Sequence, residues 1–123
     1  MTKTILHIDD EESIRDILRE LLTRQGYAVC SVSSPSEALV AARATAPDLI
    51  ISDLQLDEAD GLETVAKLHE LRPGTPVILL TGVFIDPRIV DATLGRQVSA
   101  YIHKTQPLSS ILTKVAQLIG TAS

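Results

Sequence analysis

The chain is poor in aromatic residues and in cysteine, and these absences exclude several classes of protein. Its 123 residues hold two tyrosines, one phenylalanine and no tryptophan, which argues against stacked nucleic-acid bases or a flavin held between rings. The single cysteine, Cys30, cannot close an internal disulfide. No apolar run approaches the roughly 20 residues of a membrane span, and the start shows no signal-peptide pattern. We therefore expect a cytoplasmic protein without a membrane contact.

Charge and size narrow the possibilities further. The formal net charge is -5, so a nucleic-acid backbone is not expected as a direct partner. Hydrophobic residues make up 45% of the chain and charged residues 22%, which is the composition of an ordinary folded domain. The length allows one domain, and we expect that domain to span residues 1–123. No additional DNA-binding element fits in this length.

Short apolar runs alternate with segments of helical period along the whole chain. Helix signals include the capping box Ser34-Pro35-Ser36-Glu37, Gly61 before an amphipathic segment, and a weaker start at Asp86. Strict alternation of strands and helices builds a parallel sheet with helices on both faces. The sequence thus predicts a doubly wound α/β fold with five strands and five helices. The predicted strands centre on residues 5–8, 28–30, 49–51, 77–80 and 100–102.

Polar residues end four of the five predicted strands. Asp9 and Asp10 follow the first strand, Asp53 ends the third, Thr81 follows the fourth and Lys104 follows the fifth. Ligands of open parallel sheets bind beyond the carboxyl ends of the strands. Each of these residues alone could be a helix cap or a turn residue. Together they predict a polar site at one edge of the sheet.

The charge of this predicted site indicates its chemistry. Three carboxylates and one ammonium group leave a local charge near -2, which is unfavourable unless a cation joins them. Mg²⁺ prefers such oxygen ligands and keeps several waters in a partial site. A lysine and a hydroxyl beside Mg²⁺ also suit a phosphoryl group. The residues therefore predict a Mg²⁺ and phosphoryl site with Asp53 as the nucleophile, since carboxylates form acyl phosphates.

The chain resembles a known family, the receiver domains of bacterial two-component response regulators, of which chemotaxis regulators are an example. The resemblance runs from about Lys3 to Ile119 and implies a flavodoxin-like strand order of 2-1-3-4-5. The motifs that carry it are Asp9-Asp10-Glu11, Asp53, Asp60-Gly61, Thr81-Gly82, and Tyr101 three residues before Lys104.

The resemblance implies a metal site and a phosphoacceptor. Asp53 would take a phosphoryl group from a phosphohistidine on a sensor kinase. Asp10 would bind Mg²⁺ directly, and Asp9 directly or through water. Asp53 and the backbone carbonyl of Gln55 would be further metal ligands.

The resemblance also implies a switch. Lys104 would pair with one phosphoryl oxygen, and Thr81 would move to hydrogen-bond another. Tyr101 would change rotamer as Thr81 moves. The face formed by the fourth helix, the fifth strand and the fifth helix would then change shape, as in a two-state element biased by a local charge.

Three positions depart from the family pattern. Thr105 stands after Lys104, where a proline on a cis bond is usual, so the peptide is expected to be trans. Asp57 replaces another usual proline, either as part of a solvated acidic loop or as a modifier of cation affinity. Gln97 replaces a common glycine, and we expect a local change in that loop. Within the first strand, His7 is expected to be a packed core histidine.

The leading interpretation is a phosphorelay switch that transfers phosphoryl to itself and turns over no free substrate. An aspartate-nucleophile phosphatase is less consistent, because its nucleophile follows the first strand. A flavin-binding electron carrier is disfavoured by the low aromatic content. A phosphorylation-independent interaction domain remains the main alternative. The expected partners are a sensor histidine kinase or phosphotransfer protein, and an output protein or a missing effector domain. The expected state is a monomer or weak dimer.

Overall fold

Seven strands and four helices make up the part of the chain that the structure, a computed structural model, describes. The described residues are 2–53, 55–56, 59–82, 88 and 98–120. Within those ranges, no helix has the length and hydropathy to cross a bilayer. The strands are β1 (Thr4–Ile8), β2 (Ala28–Val32), β3 (Leu49–Asp53), β4 (Gln55–Leu56), β5 (Ala59–Asp60), β6 (Val77–Thr81) and β7 (Ala100–His103). The helices are α1 (Glu12–Arg24), α2 (Pro35–Thr45), α3 (Gly61–Leu71) and α4 (Leu108–Ile119).

Five of the strands form one parallel sheet in the order β2-β1-β3-β6-β7. This confirms the predicted five-stranded sheet and its 2-1-3-4-5 order. The other two strands, β4 and β5, form a small antiparallel hairpin that the sequence did not predict, because two-residue strands carry no apolar period. The predicted helix after Asp86 lies outside the described residues, except for residue 88.

Helices cover both faces of the sheet, as the continuously apolar strands predict. All five residues of β3 and all five of β6 are buried. On one face, Leu22 of α1 and Val115 of α4 belong to the same buried cluster. On the other face, Ala42 of α2 and Leu68 of α3 belong to a second cluster. The sheet is therefore held from both sides, which fixes the positions of its strand ends.

Helix α2 begins as the sequence predicts. The Ser34 hydroxyl accepts a hydrogen bond from the Glu37 amide at 3.3 Å, and Pro35 is the first helical residue. The Glu37 carboxylate accepts a bond from the Ser33 amide at 3.1 Å, one residue earlier than in a regular capping box. The first contact satisfies a backbone donor that the first helical turn leaves without a partner, and the second ties the residue before the cap to the helix.

Ser34→Ala should lower the free energy of unfolding by about 1 kcal/mol, because the hydroxyl oxygen that accepts the Glu37 amide is lost. Urea unfolding followed by circular dichroism measures this difference. Ser34→Asp retains an acceptor at the cap and should unfold near the wild-type midpoint. Equal stability of the wild-type protein and the Ser34→Ala variant would contradict a stabilising role for the cap.

Candidate functional site

Four strand ends meet at one edge of the sheet and bring the predicted site residues together. Asp9 follows β1, Asp53 ends β3 and Thr81 ends β6. Thr81 is in register with His103 of β7, and the Lys104 amide donates to the Thr81 carbonyl oxygen at 2.7 Å. This backbone contact places Lys104 beside the ends of the neighbouring strands.

Lys104 is the centre of the charged contacts at this edge. Its Nζ lies 2.9 Å from Asp53 Oδ2 and 3.3 Å from Asp9 Oδ2. A third carboxylate, that of Glu11, contributes Oε1 at 3.1 Å. The Lys104 side chain is 16% exposed and those of Asp9 and Asp53 are 0% and 3% exposed, so two of the three pairs are shielded from water.

Four carboxylates converge around the ammonium group. Asp9, Asp10, Glu11 and Asp53 each offer one oxygen, and these oxygens lie within 4.8 Å of one another. Lys104 neutralises one of the four charges. Asp9 Oδ2 is buried and lies 3.3 Å from the Lys104 ammonium group, which it shares with Asp53 and Glu11. A set of hard oxygen donors whose negative charge exceeds that of the single ammonium group fits a small divalent cation such as Mg²⁺.

Backbone contacts hold Asp9 in place. Its Oδ1 accepts a hydrogen bond from the Glu11 amide at 2.9 Å, and its carbonyl oxygen accepts one from Arg15 Nη1 at 2.6 Å. The pKa of Asp9 is raised to about 6, mainly by burial and also by the charge of Asp53, while the Glu11 amide and Lys104 act against the rise. The ionised form of Asp9 is therefore unfavourable in this buried position unless a further cation binds it.

His7 is buried directly beside Asp9. Its Nε2 is 3.8 Å from Asp9 Oδ2, and neither ring nitrogen has a hydrogen-bond partner among the described residues. The pKa of His7 is lowered to about 4, mainly by burial and also by the positive charges of Lys104 and Arg15. The predicted burial of this histidine is confirmed, whereas its closeness to the acidic cluster was not predicted.

Lys104 keeps its proton in this site. Burial by itself lowers the pKa of an ammonium group. Here the hydrogen bond to Asp53, the charge of Asp9 and the hydrogen bond to Glu11 outweigh burial, and the pKa of Lys104 is raised. The lysine is thus a fixed positive charge against Asp53.

The remaining predicted site residues lie around this centre. Thr81 is buried at the end of β6. Tyr101 is half-buried on β7, in register with Leu79, and packs against the α2–α3 side of the core. Gln55 lies in the β4–β5 hairpin, in register with Asp60. The roles expected of these residues stay predictions.

The segment after Lys104 has the expected trans backbone, since the described residues contain no cis peptide. The Thr105 amide donates to His103 Nδ1 at 3.1 Å, a bond that a proline at this position could not make. The other two departures from the family pattern, at positions 57 and 97, lie outside the described residues.

Glu11 is a member of the acidic cluster that the strand-end argument did not place there. It comes two positions after Asp9, at the start of α1, and its side chain is 56% exposed. The only sequence signal was a third consecutive acid after β1. Proximity to Lys104 depends on a side-chain rotamer, which the sequence pattern does not specify.

Comparisons with known proteins agree with this geometry. Residues 5–116 match the family model of the response regulator receiver domain. The chain is 38% identical over 109 residues to the alkaline phosphatase synthesis transcriptional regulatory protein PhoP of Bacillus subtilis, covering 89% of this chain and 44% of PhoP. It is 33% identical over 117 residues to the response regulator protein VraR of Staphylococcus aureus, covering 94% of this chain and 56% of VraR. The chain therefore spans roughly half the length of these curated relatives.

Solved structures share the fold. A CheY-like receiver domain protein from Methanospirillum hungatei superimposes with a TM-score of 0.87 at 29% identity, covering 95% of this chain and 93% of that one. The response regulator TrrA of Thermotoga maritima, in complex with Mg²⁺–BeF, has a TM-score of 0.84 at 27% identity, covering 95% and 99%. With the sheet order, the acidic cluster and the lysine in place, the chain belongs to the response regulator receiver domain family.

Proposed function

We propose that this chain is the phosphoacceptor of a two-component phosphorelay and that Asp53 is the phosphorylated residue. An Asp53 oxygen attacks the phosphorus of a kinase or phosphotransfer-protein phosphohistidine, the P–N bond breaks, and the released imidazole takes up a proton. The observation that carries this proposal is the contact between Lys104 Nζ and Asp53 Oδ2 at 2.9 Å inside a buried acidic cluster. A carboxylate held against a fixed ammonium group suits a nucleophile whose product carries more negative charge.

The acidic cluster is proposed to bind Mg²⁺ through Asp10, Asp53 and the Gln55 carbonyl, with Asp9 as a direct or water-mediated ligand. When bound, Mg²⁺ would neutralise charge that develops on the transferring phosphoryl oxygens. Within the chain, the Glu11 amide and Arg15 fix the orientation of Asp9. These contacts support a preformed ligand rather than one that must be ordered on binding.

Phosphorylation is proposed to redistribute the contacts of Lys104. A phosphoryl group adds a charge of about -1.5 to -2 and three strong acceptor oxygens. Lys104, already beside Asp53, would bind one oxygen, and the Thr81 hydroxyl would bind another. The hydrogen bond from the Lys104 amide to the Thr81 carbonyl oxygen would carry a shift at β6 to β7.

Tyr101 is proposed to change its rotamer when β6 shifts, which would alter the protein surface. It lies on β7 two positions before His103, the register partner of Thr81. A change of its rotamer would alter the face built from β7, from the C-terminal helix α4 and from the helix predicted after Asp86. That predicted helix lies outside the described residues, except for residue 88. Moving such a two-state element from almost off to almost on needs about 5.5 kcal/mol of differential interaction. A few charge-assisted hydrogen bonds, at about 1.5–3 kcal/mol each, supply this amount.

The proposed protein is a switch that turns over no free substrate. Its upstream partner would be a sensor histidine kinase or phosphotransfer protein, and its downstream partner an output protein or an effector domain. The relatives include transcriptional regulators of which this chain matches only part. We propose that residues 1–123 act as one receiver domain, as a monomer or weak dimer.

The test is intact-protein mass after incubation with acetyl phosphate, with Mg²⁺ or with EDTA. The wild-type chain should gain one phosphoryl group only with Mg²⁺, and Asp53→Asn should gain none. Asp16→Asn, at an exposed carboxylate of α1, is the matched control and should behave as wild type. A gain that persists in Asp53→Asn would overturn the assignment of the nucleophile. No gain in any protein, together with no binding of beryllofluoride, would favour the phosphorylation-independent interaction domain.

A further inference from the structure

The two neighbours of Lys104 in the chain are bonded to each other. His103 Nδ1 accepts a hydrogen bond from the Thr105 amide at 3.1 Å and lies 2.6 Å from Thr105 Oγ1. Because an amide can only donate, Nδ1 carries no proton, and the Thr105 hydroxyl donates to it as well. The ring proton of the neutral imidazole is therefore on Nε2. We call this arrangement the His103–Thr105 clasp.

The clasp closes a short backbone loop whose middle residue is Lys104. The Lys104 amide donates to the Thr81 carbonyl oxygen at 2.7 Å, and the Gln106 amide donates to the His103 carbonyl oxygen at 3.0 Å. With the clasp, three consecutive amides, those of residues 104 to 106, have defined acceptors. The main chain at Lys104 is thus fixed on both sides, and its side chain leaves from a defined position toward Asp53.

We propose that His103 is a positioning residue that acts through the clasp to hold Lys104 for the phosphoryl group. This inference rests on the proposed function and deepens it. His103 precedes Lys104 at the end of β7, where side chains alternate between the faces of the sheet, so it does not need to touch the phosphoryl group. Its imidazole serves as an acceptor for the amide that follows Lys104.

The exposure of the clasp separates this role from a general structural one. Thr105 is exposed and His103 is half-buried, so water competes for both hydrogen bonds. Contacts of this kind add little to global stability. Their loss should act mainly on where Lys104 lies, which affects the binding of a phosphoryl group more than that of a metal ion held by carboxylates.

The experiment compares beryllofluoride affinity with Mg²⁺ affinity in the full chain. His103→Ala removes the acceptor and should weaken beryllofluoride binding about tenfold, the lower end of losses seen for supporting partners of a site. Its affinity for Mg²⁺ alone should not fall, because no carboxylate is changed and a displaced Lys104 competes less for the cluster. Thr105→Val removes only the hydroxyl and should lose about threefold in beryllofluoride binding. Both affinities are measured by NMR titration.

Rescue and control variants complete the design. An asparagine side chain accepts a hydrogen bond from the amide two residues ahead, so His103→Asn should recover most of the beryllofluoride affinity. His69→Ala, at a half-buried histidine of α3, is the matched control and should bind as wild type. In the wild-type chain, the ¹⁵N shift of His103 Nδ1 should be that of an unprotonated nitrogen.

The possible results distinguish a failure of the positioning role of His103 from a failure of the proposed phosphoacceptor function. Wild-type beryllofluoride affinity in His103→Ala, no recovery in His103→Asn, or a parallel loss of Mg²⁺ affinity would each overturn the positioning role while leaving Asp53 as phosphoacceptor. A wild-type chain that neither binds beryllofluoride nor gains a phosphoryl group would overturn the proposed function and this inference together.

Discussion

Lys104→Met should make the fold depend on a divalent cation. In EDTA, the variant is expected to lose about 3 kcal/mol of unfolding free energy, because the buried carboxylates of Asp9 and Asp53 then lack their shared counter-ion. Excess Mg²⁺ should restore most of this loss, since a dication replaces the missing ammonium charge and stabilises by mass action. Mg²⁺ should bind the variant about tenfold tighter than wild type, because no cation competes for the cluster.

Urea unfolding in EDTA and in excess Mg²⁺ measures this effect. Lys67→Met is the matched control, because Lys67 pairs with Glu63 at 3.4 Å on the exposed surface of α3 and its side chain is 57% exposed. Such surface pairs contribute about 0.3–0.5 kcal/mol. If Lys104→Met were as stable as wild type in EDTA, the carboxylates would not depend on the ammonium group.

The same substitution should remove the phosphoryl response. Without a donor beside Asp53, beryllofluoride affinity is expected to fall at least about 100-fold, as for other preorganised donors to developing anions. Tight Mg²⁺ binding together with lost beryllofluoride binding would assign Lys104 to the phosphoryl group rather than to the metal. A loss of both affinities would instead indicate general damage to the site.

Much of this site could be predicted from the sequence because strand ends are easy to locate. A buried parallel strand is a continuous apolar run, and the first polar residue after it lies at the ligand-binding edge of the sheet. This rule places Asp9, Asp53, Thr81 and Lys104 at the same edge of the sheet from the sequence alone. The sheet order is harder to obtain, because it depends on crossover connections, and it came from the resemblance to receiver domains.

The contacts that the sequence could not predict are those that depend on rotamers and on pairing across the sheet. Glu11 reaches Lys104 from the start of α1, 93 positions away in the chain. The sequence shows His7 only as a residue within an apolar run, yet its Nε2 lies 3.8 Å from Asp9 Oδ2 of the acidic cluster. The His103–Thr105 clasp requires a particular imidazole orientation. None of these contacts follows from periodicity, and each bears on the electrostatics of the site.

The buried residues His7 and Asp9 should change the free energy of unfolding in opposite directions as the pH changes. Burial raises the pKa of Asp9 from 3.8 to about 6, so the folded state binds the extra proton between these values. The raised pKa of Asp9 therefore has no effect on the free energy of unfolding below the unfolded-state pKa of 3.8. It lowers that free energy as the pH rises from there through about 6. Burial lowers the pKa of His7 from 6.5 to about 4, so His7 lowers stability as the pH falls through that range.

Single substitutions of Asp9 and His7 should reveal how each residue changes the slope of unfolding free energy against pH. Relative to wild type, Asp9→Asn should gain about 2 kcal/mol of unfolding free energy at neutral pH and lose this advantage on acidification toward about pH 4. His7→Leu should show the reverse trend, with its advantage over wild type largest near about pH 4 and absent above the ordinary pKa of histidine. Urea unfolding across this range in EDTA measures both differences, and His69→Leu on α3 is the control for loss of a histidine.

Opposite slopes would show that the ionised carboxylate of Asp9 destabilises the folded protein when no divalent cation is bound. In Mg²⁺, the advantage of Asp9→Asn at neutral pH should shrink, since the cation stabilises the ionised form of Asp9 in the folded wild type. Parallel slopes in the two variants, or an Asp9→Asn protein no more stable than wild type in EDTA, would mean that the folded site already solvates Asp9 well. The destabilisation of the apo site would then have to be sought among Asp10, Glu11 and Asp53 instead.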